Sequence, residues 1–191
     1  LLGKISHVEV GLPTGKGTHE EGKVAQEIPA HLDYDMWCGP SRLLPFHKDR
    51  VHWHWRWCLD YGGGQLMDWI GHHNDIAHWG LGMDKSGPEE VEAVGWTWPT
   101  TKIYNAPVNY EIRSRYKDGF TTSISDKHTI GIKWIGEDGW VFVARGKIEA
   151  SNREFLQEKF DRGPDKLDVS LDHRGNFLDG IRTRKECIAP A

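Results

Sequence analysis

Apolar and polar positions change rhythm several times along the chain. His7-Val8-Glu9-Val10-Gly11 alternates and predicts a strand. Leu12 to Ala30, rich in glycine, proline and charge, predicts a long loop, and Leu32 to Pro45, with Trp37, Gly39 and two prolines, predicts irregular structure. His52-Trp53-His54-Trp55-Arg56-Trp57 has period two. As a strand it would put His52, His54 and Arg56 on one face and three tryptophans on the other. From 65 to 80 the period becomes helical, with Gly80 or Gly82 near the end. Period two then returns over 91–96, 110–116, 121–125, 131–136 and 139–144, with turns at Lys117-Asp118-Gly119 and Glu137-Asp138-Gly139. A last helix is predicted from about Asp172 to Arg184, with Phe177, Leu178 and Ile181 at helical spacing. The elements predict an α+β fold: an open, predominantly antiparallel β-sheet with helices on one face. Strands near 110–125 and 130–145 carry Trp, Tyr, Phe and Ile, so the other face is expected to be apolar enough to pair with a second subunit. No internal repeat or low-complexity tract interrupts the pattern.

Within the helical stretch, Asp68, His72 and Asp75 fall at i, i+4 and i+7 and share one face. No Lys, Arg or Glu occurs between Trp57 and Asp84, although 27% of the chain is charged. A solvated helix face would carry such residues, so the three are expected to face an enclosed site. A carboxylate one turn before a histidine can orient the ring and stabilise its protonated form, which suits acid–base chemistry. The same spacing also fits a buried, hydrogen-bonded cluster that fixes the helix on the sheet. The preceding Gly62-Gly63-Gly64 fits either close approach of backbone to a ligand at a helix N-terminus or a tight turn.

Composition narrows the function. The 191 residues suffice for one domain with a real core. A formal charge of −4 with scattered basic residues gives no footprint for nucleic acid, and no stretch approaches the roughly 20 apolar residues of a membrane span. Cys38, Cys58 and Cys187 stand far apart without a CxxC pair, so neither a zinc ribbon nor a disulfide scaffold is expected. No methionine starts the chain, which reads as a fragment of a longer protein or a processed form; its compartment is left open. Gly11-Leu12-Pro13-Thr14-Gly15-Lys16-Gly17-Thr18 only superficially resembles a phosphate loop: three residues separate the glycines where four are needed, and Gly17 stands where Ser or Thr should bind magnesium. A zinc site would need His52, His54, His72, His73 or His78 to converge, and His72 and His73 point about 100° apart on a helix. No metal is expected. The tryptophans at 53, 55 and 57 fit core or interface better than a sugar platform.

Several motifs occur in order: Asp33-Tyr34-Asp35-Met36-Trp37-Cys38-Gly39-Pro40, the run from Trp55 to Gly64, Asp68-x-x-x-His72-x-x-Asp75, the hairpin Gly136 to Trp140, and His173 to Asp179. Together they resemble the C-terminal domain of the Gfo/Idh/MocA family of NAD(P)-dependent sugar oxidoreductases, over nearly the whole chain. The resemblance implies a glyceraldehyde-3-phosphate-dehydrogenase-like C-terminal domain spanning 1–191, for substrate binding and oligomerisation. It also implies a small carbohydrate substrate, a homo-oligomer through the open sheet face, and NAD or NADP bound mainly by an N-terminal Rossmann domain that these residues do not include. No GxGxxG follows a strand, so no cofactor-binding residue is expected in this chain, which alone should be inactive. The resemblance makes His72 the catalytic acid–base and Asp68 its partner; His73, Asp75, Arg56 and Trp37 would bind substrate, although Arg56 could also simply pair with Asp60. The family's Glu-Lys-Pro motif has no counterpart, since Glu158-Lys159-Phe160 is no substitute. Where the family usually has glycine two residues after the aspartate, this chain has Ile70 followed by Gly71. NAD-dependent glycoside cleavage, metal-dependent hydrolysis and a non-catalytic scaffold are the alternatives.

Overall fold

The computed structural model describes residues 1–15, 25–83, 85–157 and 169–189. Lys16, Gly17 and Thr18 of the loop that mimics a phosphate-binding motif, and Glu158-Lys159-Phe160, lie outside them. The chain falls into two compact units, Leu1–Leu156 and Gln157–Ala191.

Among the described residues of the first unit, seven strands form one sheet in the order β2-β3-β4-β1-β5-β6-β7. They are β1 Ile5–Gly11, β2 Glu90–Thr97, β3 Asn109–Arg115, β4 Thr121–Ser125, β5 Gly131–Gly136, β6 Gly139–Ala144 and β7 Lys147–Ala150. β1 runs parallel to β4, with His7 opposite Thr121 and Val10 opposite Ile124, and every other pairing is antiparallel. The chain thus lays down the central strand first, then adds one three-stranded meander on each side of it. The open, mainly antiparallel α+β sheet expected from the sequence is what forms. β7 was not foreseen, because Lys147-Ile148-Glu149-Ala150 is too short for its alternation to stand out.

Alternation sorts the residues onto two faces. Val8 and Val10 of β1, Ile124 of β4 and Ile132 of β5 form a core with Leu66 and Ala77 of the helix α2 (Gly64–Gly80), which lies against β1 and β5. Each buried Val, Ile or Leu among them stabilises the fold by roughly 1.5–3 kcal/mol. The opposite face differs from the apolar surface expected. Register places His7, Glu9, Thr121, Ser123, Arg113 and Lys133 there together, with Trp140 and Phe142 toward the edge. Its charges pair within the face, Arg113 with Glu111 at 2.7 Å and Lys147 with Glu149 at 3.0 Å. The aromatic and aliphatic residues counted in the sequence belong mostly to the helix side, where α2 covers only the centre and leaves Val91 64% and Ile148 57% exposed near the edges.

Segments between β1 and α2, joined by residues 103–106 between β2 and β3, pack two smaller clusters. Tyr34, Cys38, Phe46 and Val51 form one, and Trp57, Cys58, Ile103, Tyr104 and Ala106 the other. The first is built on α1 (Tyr34–Cys38), a short helix inside the segment expected to be irregular; the Asp33 carboxylate caps it by accepting from Met36 N at 3.0 Å.

His52–Trp57 is a 3-10 helix, not the expected strand. His52 has φ 53°, which breaks an extended run, and the amides of His54 and Cys58 donate to the carbonyls three residues back. Spacing of three then replaces spacing of two. Trp57 is buried with 2% exposure while Trp53 is 61% exposed, so the tryptophans do not share a face. In the second unit, α3 (His173–Thr183) matches the expected last helix, capped by the Asp172 carboxylate.

Candidate active site

α2 begins where the glycines make room. Gly64 has φ +68°, and a Cβ there would sit 2.7 Å from Ala106 Cβ; a Cβ on Gly62 would sit 2.8 Å from the Trp55 ring. These two glycines therefore serve a tight turn packed on protein. Once started, the helix turns Leu66, His73 and Ala77 into the core and leaves Asp68, His72 and Asp75 along its outer side. That side is open in this chain instead of enclosed: His72 and Asp75 are exposed, beside Met67 at 61% and Trp79 at 47%.

The carboxylate of Asp68 accepts from Arg56 Nε at 2.9 Å. Arg56 lies over the Trp53 ring at 4.1 Å and the Trp55 ring at 5.1 Å, and also donates to the Trp53 carbonyl. The arginine thus fastens the 3-10 helix to the first turns of α2 through Asp68, the partner in place of Asp60. His72 makes no side-chain hydrogen bond among the described residues; its ring meets Trp69 edge-on at 5.8 Å. Trp37 packs on Tyr34 and Tyr61.

His73 is 3% exposed, and its Nδ1 lies 2.7 Å from the Gly11 carbonyl at the end of β1. A carbonyl only accepts, so Nδ1 carries the proton and Nε2 is left as the ring's other polar atom. His73 also borders a cavity of about 320 Å³ together with Gly71, His72, Asp75, Ile76, Ile132, Val143, Ala144 and Arg145. Of the residues singled out in the sequence, the cavity joins His72, His73 and Asp75. Asp68 and Arg56 join each other beside it, and Trp37 belongs to the Tyr34 cluster. Among the described residues no group of three or more His, Cys, Asp or Glu gathers as a metal would require.

The family model described as "Oxidoreductase family, C-terminal alpha/beta domain" matches residues 15–188. The chain belongs to the Gfo/Idh/MocA oxidoreductase family. The fold agrees. A crystal structure of the WlbA dehydrogenase from Bordetella pertussis, in complex with NADH and UDP-GlcNAcA, superposes with a TM-score of 0.53 at 18% identity. The match covers 97% of this chain and 47% of that one, so the chain spans about half the length of that relative. No curated protein matches the sequence.

The motifs that carry the family resemblance take up defined places. Asp33 to Pro40 forms α1 and its ends, Trp55 to Gly64 leads from the 3-10 helix into α2, and Gly136 to Trp140 forms the β5–β6 hairpin. Arg145 and Trp69 escaped the sequence reading. Arg145 lies in the β6–β7 turn, and its guanidinium stands over the Trp69 ring at 5.1 Å. No sequence signal shows that a turn more than 70 residues downstream returns to α2; only the sheet order brings it there.

No βαβ unit forms among the described residues. The one parallel pair, β1 and β4, is joined through α2, β2 and β3 and not through a single crossover helix with a glycine-rich turn.

Proposed function

We propose that this chain is the substrate-binding and proton-handling part of an NAD(P)-dependent sugar oxidoreductase. The observation that carries the reading is the cavity beside α2, where an exposed histidine, a second histidine of fixed tautomer and a carboxylate converge on a family scaffold. A nicotinamide held by another part of the enzyme would supply hydride chemistry. What this chain supplies is the base: as the carbinol carbon is oxidised, its hydroxyl proton passes to the His72 ring. General base catalysis of this kind contributes typically ~10²–10⁴-fold. Asp75 and His73 Nε2 would accept or share hydrogen bonds from neighbouring sugar hydroxyls. Asp68 acts as a positioning residue: one helical turn from His72, roughly 5–6 Å between Cβ atoms, it accepts from Arg56 and so fixes the 3-10 helix beside the histidine. The open outer side of α2, with exposed Met67, Ile76 and Trp79, is the surface that a cofactor domain would cover.

In the whole enzyme, His72→Ala is expected to lower kcat about 10²–10⁴-fold while cofactor affinity is kept. Near-normal kcat in a folded variant removes His72 from the reaction. Asp68→Asn should lower kcat while the KM for the sugar changes little. A fall in stability with unchanged kcat would reduce Asp68 to an anchor for Arg56.

A further inference from the structure

The cavity beside α2 has an exposed cation at its rim that the proposed chemistry does not use. Arg145 borders it from the β6–β7 turn, opposite His72, His73 and Asp75. Among the described residues it makes no ion pair, and the Trp69 face holds its guanidinium. A guanidinium whose carbon lies 5.1 Å from a ring centroid still has N–H groups to offer, and its planar fork takes a carboxylate or phosphate with two parallel hydrogen bonds. The same ring meets His72 edge-on at 5.8 Å and His73 edge-on at 5.4 Å, so one tryptophan contacts the cation and both histidines.

Gly71 is a second, independent observation. It lies in the middle of α2 and borders the cavity, and a Cβ built on it meets nothing within 4 Å. Glycine weakens a helix relative to alanine, and nothing in this chain's own packing requires it there. It keeps open the space that a ligand would fill.

We propose that this cavity takes a sugar carrying an acidic group, with Arg145 holding the anion, Asp75 facing hydroxyls and Gly71 leaving room for the ring. The proposal rests on the cavity being the substrate site. It deepens that reading by adding the substrate's charge and a residue that selects for it.

The test is ligand-observed NMR on the 191-residue chain, with glucuronate, glucose 6-phosphate and glucose titrated to millimolar concentration. At least one acidic sugar should bind about tenfold or more tightly than glucose; the two acidic sugars separate a carboxylate from a phosphate preference. Arg145→Gln should erase the difference and leave glucose binding as it was. Arg145→Lys should restore only part of it, because an ammonium does not bind two oxygens in a plane. Gly71→Ala should raise the urea midpoint of the chain and weaken binding of the acidic sugar about tenfold. Equal binding of glucose and both acidic sugars, or a preference that survives Arg145→Gln, overturns the inference and leaves the site reading intact. Absence of binding by all three sugars overturns the site reading as well. Tighter binding of Gly71→Ala refutes the role given to Gly71.

Discussion

His7 shows how one residue's surroundings set a measurable property. It lies on the face away from α2, with Nδ1 2.7 Å from Thr121 Oγ1 and Nε2 2.9 Å from Ser123 Oγ; Ser123 Oγ in turn reaches His128 Nε2 at 2.8 Å. Burial holds the His7 imidazole below its ordinary value of 6.5, with Glu9 opposing and His128 and Arg113 adding to the shift. The unfolded chain therefore takes up this proton at a higher pH than the folded chain does. The stabilisation is complete above 6.5 and is lost as the pH falls toward the depressed folded value. Urea unfolding from neutral to mildly acidic pH should show the wild type losing more stability than His7→Asn; equal slopes would place the sensitivity in other groups. The alternation around Val8 put His7 in a strand, but its partners come from residues more than a hundred positions away, so its titration was illegible in the sequence.

Among the elements, β1 is closely packed at its end. Gly11 ends it, and a Cβ there would lie 1.8 Å from the Thr129 carbonyl oxygen, which is backbone and has little freedom to move. The Gly11 carbonyl also accepts the hydrogen bond from His73 Nδ1–H. Gly11→Ala should therefore cost at least the ~1–3 kcal/mol of an overpacked core and loosen the seat of His73 beside the cavity. The urea midpoint of the variant measures this, and an unchanged midpoint would mean the 129–131 backbone yields freely. Periodicity announced α2 and all but the shortest strand. It misread His52–Trp57, because period two in sequence does not separate a strand from a turn of 3-10 helix when a positive φ and local i→i+3 hydrogen bonds are available.

At the scale of the molecule, the face opposite α2 is where a second copy was expected to pack. Its charged residues are partnered within the face, Glu9 with Lys133 and Glu111 with Arg113 among them. Pairing through this face stays a proposal, and its chemistry is polar where an apolar seam was expected. Any dimer formed here should weaken as salt is raised, since exposed charges are screened beyond about 10 Å at 0.1 M ionic strength. Light scattering across a salt series checks this. Association that strengthens with salt would place the contact on an apolar surface, such as the uncovered edges around Val91 and Ile148.

The sequence by itself determined what depends on neighbours within a few positions. Alternation gave the strands, helical spacing set Asp68, His72 and Asp75 along one side of α2, and the ordered motifs gave the family. Tertiary structure decided what depends on distant segments meeting. It gave Arg56 to Asp68, His73 to the Gly11 carbonyl and Trp37 to the Tyr34 cluster. It brought Arg145 onto Trp69 from a turn whose place follows only from the strand order. It also chose which residues of β5 and β6 face the helix, because apolar side chains such as Trp134 and Ile135, or Val141 and Phe142, stand in both phases there.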